Sequence, residues 1–402
     1  MTGWGTERVL RDRDARLCLS AVVVSGFGTT AMWLVAGIWV KSLTGSDGLA
    51  ALTVFVMWAP VLAGPALGAL VDRLPRRPVL VAAGLVMAGL LPVLVLLDSA
   101  DRVWLLFVVL LAYGICGTLH EAAEAALVPG VVDERLLGDF NGLRLTANES
   151  MKLLAPLVGA GLFARFGGAS VALLDAVTFA LAAGIFARLR VRGDGPARAS
   201  GRGGFASVAA GARHLWDSPA LRPLMAAGAA VMFLAGLNGA VIYAVADDVL
   251  GHAPTYVGVL YAAQGAGSVL TGLVAGPLLR RMPGRVFAAA GAALFALGAG
   301  GRALPYDAVA LVCSAAIGVG LPCVLIAALT AVQREVPDAV LGRAAATANT
   351  VLFVPNAVAL ALGAGLVGAV DVRVLLPVVT AAGLAVALLL PATAPRGARR
   401  RS

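Results

Sequence analysis

Two short stretches hold most of the side chains able to do chemistry. "HEAAE", residues 120–124, brings His120, Glu121 and Glu124 together, and "RLTANESMKLLAP", residues 144–156, adds Arg144, Asn148, Glu149 and Lys152. On an α-helix Glu121/Glu124 and Glu149/Lys152 stand three apart, while Arg144, Asn148 and Lys152 recur every four, so each set shares roughly one face. Both stretches lie in apolar surroundings, where a charge is costly unless it is paired or wetted. At ~1.5 Å per residue, Glu121 lies about 12 Å inside Pro129 and Lys152 about 13 Å inside Leu143. Two antiparallel helices joined by a dozen residues could therefore let Glu121 and Lys152 meet, with Glu149 close by. A carboxyl whose cationic partner comes and goes changes its hold on a proton. Glu121, Glu124, Glu149 and Lys152 are thus the candidates for proton coupling, and Arg144 is expected to anchor the helix at the membrane edge.

A second chemistry has to be weighed, because HEAAE is close to the zinc motif His-Glu-x-x-His. Glu124 stands where the second histidine should be, and His214 and His252 are expected outside the membrane core. Two ligands do not make a catalytic zinc centre. A membrane metalloenzyme is the remote alternative, and no metal or cofactor is expected. No Gly-x-x-x-x-Gly-Lys loop is present, so ATP is not expected to act directly.

The elements that must carry these residues are membrane helices. The 402 residues are 60% hydrophobic and only 13% charged, with a mean hydropathy of +0.91. Apolar runs of about 20 residues recur between short arginine-bearing loops, as in a polytopic helical protein. Helices are expected at 18–40, 50–71, 79–97, 103–128, 142–163 and 170–189, then at 221–246, 255–279, 286–302, 308–332, 343–367 and 372–391. The first follows a charged, signal-like start but is read as a retained helix. The net charge of +9 does not call for nucleic acid, because the charge follows topology. Twenty-five arginines fall on one side of this scheme, against Lys41, Arg102, Arg165, Arg302 and Arg373 on the other. By the positive-inside rule both termini are expected in the cytoplasm of a bacterial cell, with the protein in its inner membrane. Cys18, Cys116, Cys313 and Cys323 have no metal spacing and read as small apolar fillers.

The polar stretch "RVRGDGPARASGRGGFAS", 190–207, divides the helices into six and six. The expected organisation is a bundle over 1–189, a cytoplasmic linker over 190–220, a second bundle over 221–392 and a basic tail over 393–402. "GARHLWDSP", 211–219, could form a short surface helix. The halves also repeat. A shift of 208 matches Gly68/Gly276, Leu70/Leu278, Arg73/Arg281, Pro75/Pro283 and Arg77/Arg285, and a shift of 204 lays "VGAGL" (158–162) on "LGAGL" (362–366). Two parallel six-helix repeats with a site between them are a transporter architecture.

"GALVDRLPRRPVL", 68–80, resembles the signature loop of the major facilitator superfamily, Gly-x-Leu-x-Asp-Arg-x-Gly-Arg-Arg. Gly68, Leu70, Asp72, Arg73, Arg76 and Arg77 match it, and Pro75 replaces a glycine. The resemblance implies an all-α membrane protein, twelve transmembrane helices in two pseudo-symmetric six-helix bundles. It also implies a cytoplasmic gate built on Gly68, Asp72, Arg73, Arg76 and Arg77. Arg280 stands where the second half would repeat Asp72, so the gate is expected to be asymmetric. "IWVKSLTGSDGLAAL", "LLDAVTFALAAG", "HLWDSPALRPLM" and "YVGVLYAAQGAGSVLTGLVAG" further resemble the macrolide-efflux and enterobactin-exporter-like branch. That implies proton-coupled export of a drug, antibiotic or siderophore-like molecule, the alternative being a facilitator or importer of a small metabolite. The chain departs from the branch's drug–proton antiporters in two places. Helix four lacks a central arginine, and "APLVGAG", 155–161, keeps only Pro156 and Gly159 of the antiporter signature.

Asp175 sits where the branch is often acidic and is expected to make a structural hydrogen bond. Asn238, Gln264, Asn349 and Asn356 are candidate polar lining. Trp33 and Trp58, with Met32, Phe55 and Phe233, could supply an apolar lining. The expected partners are a small-molecule substrate, protons and the lipid bilayer, with no nucleic acid and no ATP, and the chain is expected to act as a monomer.

Overall fold

A computed structural model describes residues 3–63, 67, 70–71, 74–133, 136–189, 213, 215–336 and 338–392. Among the described residues there are helices and no strands. The chain divides into two compact units, Met1–Gly204 and Phe205–Ser402. The expected linker lies almost entirely outside the described residues, and so does the basic tail. Of the "GARHLWDSP" segment, Leu215–Asp217 form a helical turn, with Leu215 buried beside Leu221 and Met225.

In the first unit, α1 (Gly3–Arg11) precedes six longer helices: α2 (Arg13–Thr44), α3 (Asp47–Trp58), α4 (Arg76–Leu90), α5 (Val103–Val131), α6 (Leu137–Phe166) and α7 (Gly168–Phe186). The second unit holds α8 (Leu221–Ala240), α9 (Val257–Arg281), α10 (Gly284–Gly301), α11 (Asp307–Glu335), α12 (Asp338–Leu366) and α13 (Val372–Ala392). Among the described residues, ten of these helices are long and apolar enough to cross a membrane. Outside that set, besides the short α1, are α3 and α6. α3 is apolar but short, giving way to a 3₁₀ turn at Ala59–Ala63, where Pro60 removes a backbone donor. Pro92 does the same to α4, which ends as 3₁₀ over Leu91–Leu96. α6 has 30 residues and is long enough, but it carries Arg144, Glu149 and Lys152. α6 is thus the helix holding the charges that opened the sequence analysis. α8 stops at Ala240 rather than 246 and continues as a single turn and a π-helical turn, Val245–Val249.

Local sequence sets the helix ends. The Asp12 carboxylate accepts the Ala15 N–H at 2.8 Å and starts α2. Ser46 caps α3 by accepting the Leu49 N–H. Between them Lys41 Nζ meets Asp47 Oδ2 at 2.8 Å. Lys41 was expected as a loop charge, yet it is 7% exposed, tying the outer corner of α2 to α3.

The two units use the same packing scheme. In the first, α2 packs on α6 and α7, α4 on α5 and α7, and α3 on α5. In the second, α8 packs on α12 and α13, α10 on α11 and α13, and α9 on α11. The repeat read from sequence has a physical counterpart at its glycines. Gly159 of α6 lies against Ala31 of α2, and its match Gly363 of α12 lies against Ala240 of α8. A side chain at Gly159 would push α2 and α6 apart, and one at Gly363 would push α8 and α12 apart. This contact also explains why Gly159 survives from the antiporter pattern. Arg77 donates to the Ala187 carbonyl at the end of α7, and its match Arg285 donates to Pro219 O at 2.8 Å beside the start of α8.

Candidate functional site

The ion pair that joins α5 to α6 is Glu124–Arg144, with Arg144 Nη1 2.6 Å from Glu124 Oε1. Glu124 is 8% exposed, and its other oxygen is 4.0 Å from His120 Nε2. His120 is buried with its ring edge-on to Phe179 and Phe186 of α7. Cys18 of α2 also has Glu124 and Arg144 as its charged neighbours; the Glu124 end of the pair is buried, while the Arg144 side chain is 35% exposed. This corrects the sequence expectation. Glu121 is exposed, and its charged neighbours are Glu124 and Arg144, not Lys152. The reason is angular. At about 100° per residue, His120 and Glu124 lie within about 40° of each other and turn inward together, leaving Glu121 about 80° from their midline. Arg144, expected as an edge anchor, is level with Glu124 and serves as its partner. Lys152 lies on an exposed face of α6. The side chain of Glu149 lies outside the described residues, as do Gly68, Asp72 and Arg73 of the gate motif.

A second polar group lies deeper in the first unit. Asp175 of α7 is 0% exposed. Its Oδ2 accepts from Tyr113 Oη of α5 at 2.8 Å, and Tyr113 Oη is 3.0 Å from Thr29 Oγ1 of α2. Thr178 Oγ1 lies 3.1 Å from Asp175 Oδ1 and 2.8 Å from the Asp175 carbonyl. Gly28 of α2 presses on Asp175 and Thr178, leaving no room for a Cβ.

In the second unit Arg302, counted from sequence as an outside charge, is 1% exposed. It follows α10 and folds back between α9 and α11. Its Nε and Nη2 donate to Ser314 Oγ at 3.1 and 2.8 Å, and Nη2 lies 3.4 Å from Gln264 Oε1. Its Nη1 is buried without a hydrogen-bond partner among the described residues. Of the other lining candidates, Asn356 Nδ2 donates to the Met232 carbonyl at 2.9 Å and so joins α12 to α8. Asn238 is buried, Asn349 and Trp58 are exposed, and Trp33 packs on the core beside the fully buried Met32. Such inter-helical bonds contribute modestly in lipid. Asn356→Ala is expected to cost about 1 kcal/mol, read as a small drop in the thermal midpoint of the purified protein. A drop as large as that expected for a broken buried ion pair would show that Asn356 does more than join helices.

Among the described residues no three His, Cys, Asp or Glu side chains gather as a metal would need. Sequence reasoning missed Arg302 and Tyr113. Arg302 stands alone beside a run of glycines, and only packing reveals that it turns inward. Tyr113 lies in an apolar run with no polar neighbour in sequence to mark it.

Two bundles of membrane helices with ionisable groups sealed inside them define a multi-pass protein built to move solutes. The chain belongs to the Major Facilitator Superfamily, whose family model matches residues 18–360, and it is a membrane transporter. No curated protein matches it by sequence. A POT family transporter in complex with a thioalcohol-conjugated peptide superposes with a TM-score of 0.76 at 11% identity, over 94% of this chain and 96% of that one. The nucleoside transporter NupG gives 0.71 at 14% identity, over 94% and 100%. A bacterial homologue of the iron transporter ferroportin, in its inward-facing state, gives 0.69 at 18% identity, over 95% and 98%. At these identities the likeness is one of fold.

Proposed function

We propose that this protein exports a hydrophobic or amphiphilic small molecule by alternating access, in exchange for protons, across the inner membrane of a bacterium with both termini in the cytoplasm. The observation that supports the coupling is the Glu124–Arg144 pair, whose carboxylate end is buried beside His120. A carboxylate held inside a bundle by one arginine gives up that partner only if the helices move, and its proton affinity then moves with them. The direction and the substrate class rest on the resemblance to the macrolide-efflux and enterobactin-exporter-like branch. Glu121, Glu149 and Lys152 remain coupling candidates, and Arg76 and Arg77 belong to the proposed cytoplasmic gate.

A second reading, uptake or facilitated passage of a small metabolite, is favoured by fold neighbours that include peptide and nucleoside transporters. One experiment separates the two. The protein is expressed in an efflux-deficient host and challenged with a panel of lipophilic toxic compounds, with and without a protonophore. Export predicts protection that the protonophore abolishes, with higher accumulation of the protected compound. Uptake predicts no protection and lower accumulation when the gradient collapses. Protection by a Glu124→Gln variant that equals wild type would remove Glu124 from the coupling role.

A further inference from the structure

The Glu124–Arg144 pair has its counter-charge in place. Asp175 does not. It lies wholly inside the first unit, and among the described residues no cation pairs with it. Its side-chain partners are hydroxyls, Tyr113 from α5 and Thr178 from its own helix. Of the helices packed on α7, α2 brings Thr29, and α4 holds no titratable group between its first two arginines and Leu90. The charged side chains of α6 that the structure describes make no ion pair with Asp175. His120 of α5 faces Phe179, about one turn along α7 from Asp175.

An ionised carboxylate without a cation, away from water and inside a membrane bundle, is among the most expensive groups a protein can bury. The hydrogen bonds leave room for a proton. Four contacts link the three hydroxyls, the Asp175 carboxyl and its backbone carbonyl. Each hydroxyl carries one hydrogen. Thr29 can give its hydrogen to Tyr113, Tyr113 its own to Asp175 Oδ2, and Thr178 its own to the Asp175 carbonyl at 2.8 Å. At the longer contact, 3.1 Å from Thr178 Oγ1 to Asp175 Oδ1, the Thr178 hydrogen can be shared with the carboxylate, and the lone pairs of Oγ1 can equally accept a hydrogen from a protonated carboxyl.

We propose that Asp175 is a proton-binding site, occupied in the conformation described here and sealed by α2 through Gly28 and Thr29. Release breaks the carboxyl O–H bond and passes the proton to water admitted when α2 parts from α7. The carboxylate left behind keeps Tyr113 and Thr178 as donors. Reprotonation reverses the step, so no other reactant is required. That this proton helps to drive transport rests on the export reading above; its location does not.

The test reads the proton itself. Infrared spectra of the purified full-length protein in lipid nanodiscs at neutral pH are recorded for wild type and for Asp175→Asn, which keeps an acceptor for Tyr113 and a donor for Thr178. The difference spectrum should show loss of one protonated-carboxyl C=O band and no loss of carboxylate bands, and Glu121→Gln and Glu124→Gln should leave that band in place. Loss of carboxylate absorption instead overturns the assignment. Should Asp175→Asn not fold, Tyr113→Phe takes its place, because removing one hydrogen-bond donor must shift the same band; an unmoved band is equally fatal. Gly28→Ala, which wedges α2 away, should speed the deuterium shift of the band in heavy water, and an unchanged rate would remove the seal. No substrate is needed, so the outcome stands apart from the transport assay. Transport without the acid band removes only this site, and the band without transport removes only the export reading.

Discussion

Arg144→Ala is expected to destabilise the first unit by about 1–3 kcal/mol, because it leaves the buried Glu124 carboxylate without its partner, although the Arg144 side chain itself is 35% exposed. The expectation rests on Glu124, which is 8% exposed, has His120 and Cys18 beside it and pairs, among the described residues, with the Arg144 guanidinium. Removing the arginine leaves a carboxylate that must either stay charged inside the bundle or take up a proton. Glu124→Gln with Arg144→Gln removes both charges and keeps hydrogen-bonding groups, so the double variant should recover most of the loss. The measurement is the unfolding midpoint of purified protein for the two single variants and the double variant. If Arg144→Ala costs less than about 1 kcal/mol, as an exposed surface pair would, the enclosure inferred for Glu124 is wrong. If the double variant is as unstable as the single, the loss is one of packing and not of charge.

Gly318→Val should be more damaging still, in the second unit and for a steric reason. α9 and α11 cross with Gly318 against the backbone of Gln264 and Gly267 against the carbonyl of Ala315. Ser268 Oγ donates to Gly318 O at 3.0 Å and Thr271 Oγ1 to Val319 O at 3.0 Å. Small residues that let membrane backbones touch, with hydroxyls bonding across the gap, are what binds helices where lipid gives no hydrophobic drive. A Cβ at Gly318 overlaps main chain, which cannot rotate out of the way. The expected cost exceeds about 3 kcal/mol, beyond the usual range for overpacking, and the readout is the yield and thermal midpoint of folded protein. Ser268→Ala, which deletes one bond and adds no bulk, should cost about 1 kcal/mol or less. Comparable losses for the two would show that the crossing is held by its hydrogen bonds rather than by its closeness.

Much of the fold was legible because it follows from one-dimensional patterns. Runs of about 20 apolar residues have few fates other than crossing a membrane. The repeat could be read because two bundles packed by one scheme need small residues at matching places, as Gly159 and Gly363 show. The candidate site was legible in its parts but not in its pairing. His120, Glu121, Glu124, Arg144 and Lys152 could all be picked out as charges or rings in apolar surroundings. Which of them meet depends on the relative rotation and register of α5 and α6, and neither helix carries that information alone. Arg302 was misread for the same reason, since an arginine just past a helix end can point to water or turn back, and the residues that receive it, Ser314 and Gln264, come from other helices.

Sequence by itself determined the class, the six-plus-six repeat and the supply of ionisable groups inside the membrane, because composition, periodicity and spacing are local properties of the chain. Tertiary structure alone decided the pairing of Glu124 with Arg144, the burial of Lys41 and Arg302, and the hydroxyl-lined enclosure of Asp175. A helix's own 3.6-residue period fixes the angle between its side chains but not the direction in which they face. That direction is set where backbones touch, at glycines such as Gly28 and Gly159, and there a charge such as Glu124 acquires a counter-charge, or a carboxyl such as Asp175 meets hydroxyls instead.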